Sequence, residues 1–360
     1  MASQKPHHVV FCCSGRSGLV FLAVAARSLL ETHSRPERVR VHVIFEHLTQ
    51  ADLDNLLASW QSWSDRGQIF FHQLSDVLGE KALERGYGYW FRAWMHLVLP
   101  PDVERVLYLD YDLLVLEDVS PLWHIDVSGR LGAMVVEPDA SRGVEELYKV
   151  ATNVGLAYDP SQPYFNSGVI FVNLNRWRDV NMGKILDEVF AAHRPHDYLN
   201  DQGEINLLFS AEFLPLPARY NVIRAPNYNL LHRRKLKSET LNPVILHFAG
   251  PEKVTRRWRR LGEKRAFYTV LDRTAWRGFR SENDKSLLGI LISQLLEYRF
   301  LLNNRDSLPN FRRRFAALLL RNPTLPLLQL FLAQKRFLQS LANMTVRGTK
   351  SFLGEQDCAE

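Results

Sequence analysis

Asp110 and Asp112, separated only by Tyr111, lie between two apolar runs, Val106 to Leu109 and Leu113 to Leu116. A buried strand of an α/β protein reads this way and presents its acidic groups at its carboxyl edge. Carboxylates this close repel each other and lose solvation, so an interior edge that carries both generally holds a cation as well. Their oxygens are hard ligands, suited to magnesium or manganese bridging to a diphosphate. A second Asp-X-Asp, Asp52 to Asp54, carries a plainer expectation: it decorates the first turn of a helix. His247 lies inside the apolar run Val244 to Phe248. It reads either as a hydrogen-bonded core residue or, if its ring reaches the Asp110 edge, as the third ligand of a site open to phosphate oxygens and water.

Other polar residues stand at the ends of apolar runs. Ser14-Gly15-Arg16-Ser17-Gly18 follows the run His8 to Cys13, where α/β sheets contact nucleotides at a helix N-terminus or simply turn tightly. It does not match G-x-G-x-x-G. Arg92 sits among Tyr89, Trp90, Phe91 and Trp94, either on a solvated face or against a diphosphate. Asn166 fits a turn, and Asp201 fits a helix cap. Gln202 has no comparable structural duty.

Apolar periodicity supplies the elements that hold these residues. Strands are expected at 8–13, 38–45, 68–71, 106–109, 131–136, 169–174 and 243–248. Helices are expected at 19–30, 50–60, 87–99 (stopped by Pro100-Pro101) and from Asp201 to about Phe209. The opening βαβαβ order predicts a parallel sheet with helices packed on it. Beyond Lys253 the pattern becomes helical and basic, with apolar or amphipathic stretches at 286–302, from Phe311, and at 325–337.

The 360 residues are 46% hydrophobic and 23% charged, ordinary for a globular chain able to bury one large core or two smaller ones. No basic leader precedes a long apolar run, and no apolar stretch reaches about 18 residues, so neither a secretory signal nor a transmembrane helix is expected. Cys12, Cys13 and Cys358 form no disulfide framework, which fits a reducing compartment. The net charge of +6 is unevenly spread: residues 251–350 hold 21 Lys and Arg against 7 Asp and Glu. Such a basic region favours a polyanionic surface, and its Phe and Leu clusters favour an anionic membrane over nucleic acid, for which no recognisable module is present. The alternative is an ordinary helical subdomain with solvated arginines.

Taken together, the segments resemble glycosyltransferase family 8, in its bacterial lipopolysaccharide galactosyl- and glucosyltransferase branch. The resemblance spans roughly residues 8–260. It rests on Val106 to Asp112 with Pro121-Leu122-Trp123, Tyr164 to Gly168 with Asn173 to Trp177, Asp201-Gln202, and His247 to Lys253. It implies a GT-A type nucleotide-sugar transferase fold, α/β with a Rossmann-like mixed sheet, as a catalytic domain over 1–260 followed by a helical, basic region over 261–360. It further implies a UDP-sugar donor, a manganese (or magnesium) ion, and transfer of galactose or glucose with retention to a glycan or glycolipid acceptor at the cytoplasmic face of a bacterial membrane. Residue by residue, it implies Asp110, Asp112 and His247 as metal ligands. Cys12, Ser14, Arg92, Tyr111, Gly250 and Lys253 would be donor contacts, and Asn166, Asp201 and Gln202 sugar-binding residues, with Gln202 beneath the reacting carbon. A non-catalytic sugar-nucleotide- or glycan-binding protein on the same scaffold is the alternative. The chain departs from the family pattern at Cys13 to Ser17, at Val136-Glu137, and at Val254-Thr255.

Overall fold

The computed structural model describes residues 5–79, 88–137, 140–193, 201–223, 238–249, 253–255, 260–303 and 311–321. The chain opens with β1 (His7–Ser14), α1 (Leu19–Thr32), β2 (Val39–Glu46), α2 (Gln50–Ser59) and β3 (Ile69–Gln73). β1 pairs in parallel with β2, and β2 with β3, as the βαβαβ order predicts. Helix α1 buries Leu19, Leu22, Ala23, Ala26, Leu29 and Leu30, the stripe read from its apolar spacing. Asp52 takes the plain role expected of it: with Thr49 it closes a capping box on α2.

The remaining strands are β4 (Arg105–Leu109), β5 (Leu113–Val115), β6 (Gly132–Val136), β7 (Phe165–Asn173), β8 (Phe213–Leu216), β9 (Val222–Ile223) and β10 (Ile245–His247). Among the described residues they form a seven-stranded sheet, β3-β2-β1-β4-β7-β6-β8, and a three-stranded one, β5-β10-β9. β7 runs antiparallel to both β4 and β6, so the large sheet is mixed. Phe11, Leu22 and Trp60 pack on one face; Val10, Trp90 and Trp177 pack on the other. Between β4 and β5 the chain leaves the large sheet for the small one, and Asp110 and Asp112 occupy that junction.

Two expectations shift. Residues 88–98 form a 3₁₀ segment, Gly88–Trp94, and one α turn, Met95–Val98, rather than one helix. Trp90, Phe91, Ala93 and Met95 are all buried, and a single α-helical stripe cannot bury neighbours so closely spaced. β7 begins four residues before the expected start at 169, because Phe165 and Asn166 pair with Val136 and Val135 across a register shift in β6.

The chain divides into two compact units, 1–231 with 236–254 and 265–280, and 232–235 with 255–264 and 281–360. In the first, Phe267 and Leu271 pack with Leu114, Leu246 and Phe248, backing the small sheet. The same unit carries a histidine ladder across its parallel strands: His8 to His42 at 3.0 Å and His42 to His72 at 2.9 Å, ring nitrogen to ring nitrogen. His7 stacks on Trp123 and bonds His33 at 3.0 Å. In the second unit, helix Leu287–Asn303 presents Glu297 to Arg260, which is buried and also paired with Glu263, rather than solvated. Among the described residues no helix is long and apolar enough to cross a membrane. The stretch expected at 325–337 and Cys358 lie outside the described residues.

Candidate active site

The small sheet brings the acidic pair and the histidine together. β10 runs antiparallel to β5 with His247 opposite Leu113, and the Phe248 N–H donates to the Asp112 carbonyl at 2.9 Å. The His247 ring therefore lies beside both carboxylates, with Nε2 3.3 Å from Asp112 Oδ1 and 3.6 Å from Asp110 Oδ2. One ligand atom from each of Asp110, Asp112 and His247 lies within 4.8 Å of the others. Two carboxylate oxygens and one imidazole nitrogen form a donor set that fits manganese or magnesium.

β7 closes the third side. The Asp110 N–H donates to the Gly168 carbonyl at 2.8 Å, carrying the β4–β7 ladder one residue further. Gly168 must be glycine here: a Cβ would lie 2.2 Å from His247 Cε1 and 2.9 Å from Asp110 Oδ2. Gly168, the last residue before the run expected as a strand, thus packs directly against the site.

Lys253 reaches the pair from beyond β10, bonding Asp112 Oδ2 and standing 5.8 Å over the Tyr111 ring. Burial alone would raise the Asp112 pKa, but His247 and Lys253 outweigh it and hold the carboxyl well below its usual range. His247 is moved the other way. Burial opposes its charged form, and the Asp112 carboxylate overcomes that and raises its pKa. The Tyr111 phenol is pushed up to about 12 by burial, with Asp112 adding repulsion.

Arg92 stands behind the carboxylates, facing inward. Its Nε lies 2.6 Å from Asp201 Oδ2, its Nη2 3.1 Å from Asp110 Oδ1, its Nη1 donates to the Ser167 carbonyl, and its plane covers the Tyr108 ring at 4.5 Å. The guanidinium is buried among these partners rather than solvated. Burial pushes the Asp201 carboxyl up to about 6, with Arg92 opposing and Asp110 reinforcing.

Helix Asp201–Phe209 begins where the sequence placed it. Gln202 Oε1 accepts the Ser167 N–H at 3.0 Å, and its Nε2 donates to the Tyr164 hydroxyl at 3.3 Å. Asn166 is buried, with Nδ2 donating to Glu137 at 2.9 Å and Oδ1 accepting from Gly168 N–H at 3.0 Å and Asn221 at 2.8 Å. At the end of β1 the Cys12 side chain is interior and burial raises its thiol pKa, so any nucleotide contact there falls to the backbone. Ser14 stays partly accessible beside Gly15, whose φ of 70° makes the turn. Gly250 lies outside the described residues.

Three participants lie in stretches the sequence reading quoted without giving them these bonds: Tyr108, whose hydroxyl donates to Asp110 at 2.6 Å, Tyr164 and Glu137; a fourth, Asn221, which bonds His247 Nδ1 at 2.9 Å, escaped it altogether. Asn221 followed a Pro-Ala-Arg-Tyr turn, and nothing in its spacing separated it from an ordinary turn residue.

The family model for glycosyl transferase family 8 matches residues 8–260. The chain belongs to that family. It is 28% identical over 207 residues to a lipopolysaccharide 1,2-glucosyltransferase of Escherichia coli K12, covering 55% of this chain and 58% of that protein. It is 29% identical over 166 residues to general stress protein A of Bacillus subtilis, covering 44% and 54%. The chain thus spans little more than half the length of these curated relatives. Among solved structures, galactosyltransferase LgtC in complex with donor and acceptor sugar analogues superposes with a TM-score of 0.58 at 23% identity, covering 74% of this chain and 96% of that one. The bifunctional glycosyltransferase WbbM superposes at 0.60 with 15% identity, over 77% and 51%. This family 8 member has a GT-A fold, its mixed sheet matching the expectation raised by the motifs.

Proposed function

We propose that this family 8 member is a metal-dependent, retaining transferase moving galactose or glucose from a UDP-sugar to a hydroxyl of a growing surface glycan such as a lipopolysaccharide core. The observation that carries the reading is the convergence of Asp110, Asp112 and His247 at the junction of two sheets, with Lys253 alongside. The Escherichia coli lipopolysaccharide glucosyltransferase supports the choice of acceptor class. A divalent cation, manganese or magnesium, held by those three residues would neutralise charge on the departing diphosphate, which such a leaving group needs more than a strong acid.

The chain's own residues have separable parts in this reading. Lys253 exchanges Asp112 for a phosphate oxygen of the donor, with Gly250 and the backbone at Ser14 also on the donor side. Gln202 turns its amide oxygen from the Ser167 N–H toward the anomeric carbon, where a neutral oxygen stabilises developing positive charge from the back face without being a strong nucleophile. Asn166 and Asp201 line the sugar end of the site. Retention follows from same-face attack by the acceptor hydroxyl, whose proton passes to the leaving phosphate oxygen.

The test is UDP release from UDP-galactose and UDP-glucose with and without manganese. Manganese-dependent release that disappears in His247→Ala supports the proposal. Binding of UDP-sugars with no release in the presence of manganese and candidate glycans would favour a binding protein on the same scaffold.

We further propose that the basic region places this activity at the anionic, cytoplasmic face of a bacterial membrane, the surplus of Lys and Arg over residues 251–350 being its support. Salt-sensitive binding to anionic vesicles, lost on truncation after residue 280, is the expected result. Binding insensitive to both would count against it.

A further inference from the structure

His247 can serve a cation only if its Nε2 carries a lone pair, which requires the proton of the neutral ring to sit on Nδ1. In the structure that choice is imposed from three hydrogen bonds away. The Glu137 carboxylate can only accept, so Asn166 must turn its Nδ2 toward it, at 2.9 Å. The Gly168 N–H can only donate, and it meets Asn166 Oδ1 at 3.0 Å, fixing the same orientation independently. Asn166 Oδ1 then requires a donor from Asn221, whose Nδ2 supplies it at 2.8 Å. Asn221 is left facing His247 Nδ1 with Oδ1, a pure acceptor, at 2.9 Å. Asn166, Asn221 and His247 are all buried, so water does not compete for these bonds.

We infer that Asn221 is a positioning residue for His247, relaying an orientation set by Glu137 and Gly168 through Asn166 so that the neutral ring keeps its proton on Nδ1 and its Nε2 lone pair serves a cation held together with Asp110 and Asp112. The inference rests on the metal-site reading above and extends it. It also gives Asn166 a duty besides the sugar: both atoms of its amide are committed within the protein. The relay costs little, because every bond in it is made and no buried donor or acceptor along it is stranded.

The test uses manganese alone, titrated into the full-length chain and followed by the electron paramagnetic resonance signal of the free ion, with no donor or acceptor present. Asn221→Leu preserves volume and removes the acceptor; its manganese affinity should fall about 10- to 100-fold, the usual scale for a partner standing behind a metal-bound histidine. Asn221→Asp keeps an acceptor facing Nδ1 and should bind manganese more tightly than Asn221→Leu. A merely structural role predicts the reverse, since the aspartate adds a buried charge and opposes Asn166 Oδ1. At one saturating magnesium concentration for the wild type, the ¹⁵N shifts of His247 should report a metal-bound Nε2 and a protonated Nδ1 in the wild type and in Asn221→Asp, and an Nε2 no longer bound to metal in Asn221→Leu.

Affinity of Asn221→Leu within about twofold of wild type, or Asn221→Asp as weak as Asn221→Leu, overturns the inference. If Asn221→Leu does not fold, Asn221→Ala, which removes the same acceptor, is read in its place: weakened manganese binding supports the relay, and unchanged binding overturns it. A wild-type chain that binds no manganese defeats the metal reading itself, an outcome distinct from equal binding by wild type and variants.

Discussion

The Phe248 N–H donates to the Asp112 carbonyl at 2.9 Å, continuing the β5–β10 ladder one residue past its paired strands. That single backbone bond ties the chain carrying one carboxylate to the chain carrying the histidine, and it fixes their register. The site is therefore held by main-chain pairing, and substitutions that shift a side chain can damage it without unfolding the sheet.

Gly168→Ala tests this. Its Cβ would lie 2.2 Å from His247 Cε1, and the ring can yield only by leaving Asp110 and Asp112. The expected result is loss of manganese binding together with a destabilisation of about 1–3 kcal/mol, the usual cost of overpacking. Urea unfolding and manganese titration check both. An unchanged manganese affinity would show that the ring finds another route to the ligands.

Arg92 should matter more for folding than for donor binding. Removing it leaves Asp201 buried without its cation at 2.6 Å. Arg92→Met is expected to cost about 3–5 kcal/mol, the scale for breaking a buried ion pair by deleting one partner. Much of that should return in the double variant Arg92→Met/Asp201→Leu. A double variant no more stable than the single one would mean that Asp110 and the Ser167 carbonyl are the partners that matter.

Gln202→Ala separates two duties of one amide. The Ser167 N–H loses its acceptor, which should cost about 1 kcal/mol of stability. Turnover should fall by about 10²-fold or more if the amide oxygen faces the developing charge. Full turnover with an unchanged product anomer would remove Gln202 from the mechanism.

Stability should decline on mild acidification. Burial, with charged neighbours assisting, depresses His7 to about 3 and His42 to about 2, and burial also lowers His8, His33 and His72. These rings stay neutral in the folded chain, while in the unfolded chain they take up protons near pH 6.5. The stability they permit is fully present above that pH. It is lost progressively below it, by about 1.4 kcal/mol per pH unit for the deeply buried His42 and by less for the more accessible rings. Thermal unfolding between pH 8 and pH 5 should show the slope, reduced by roughly one proton in His42→Gln. A flat profile would contradict the assignment.

The legible parts of the site were those encoded locally. Asp110 and Asp112 announced themselves because apolar runs on both sides left only the strand edge for them. Asp201 and Gln202 did so because they open an apolar helix that runs to Phe209. What could not be read was pairing between distant segments. Leu113 to Val115 read only as part of a second apolar run after the acidic pair, and only its partnership with β10 makes it a strand of another sheet. The burial of Arg92 against Asp201 and Asp110 could not be read either, since nothing near it in sequence contains those carboxylates. Asn221 was invisible for the same reason: its partners lie 55 and 26 residues away.

The junction between β4 and β5 also sets a timetable for synthesis. Asp110 and Asp112 leave the ribosome well before His247 and Lys253, and β5 has no described partner strand until β10 is made. During that interval a nascent chain carries two repelling carboxylates next to the unpaired, apolar edge of Leu113, Leu114 and Val115, the kind of edge that recruits foreign strands. Completion of the site and protection of that edge are one event, brought about by the arrival of three residues, Ile245 to His247.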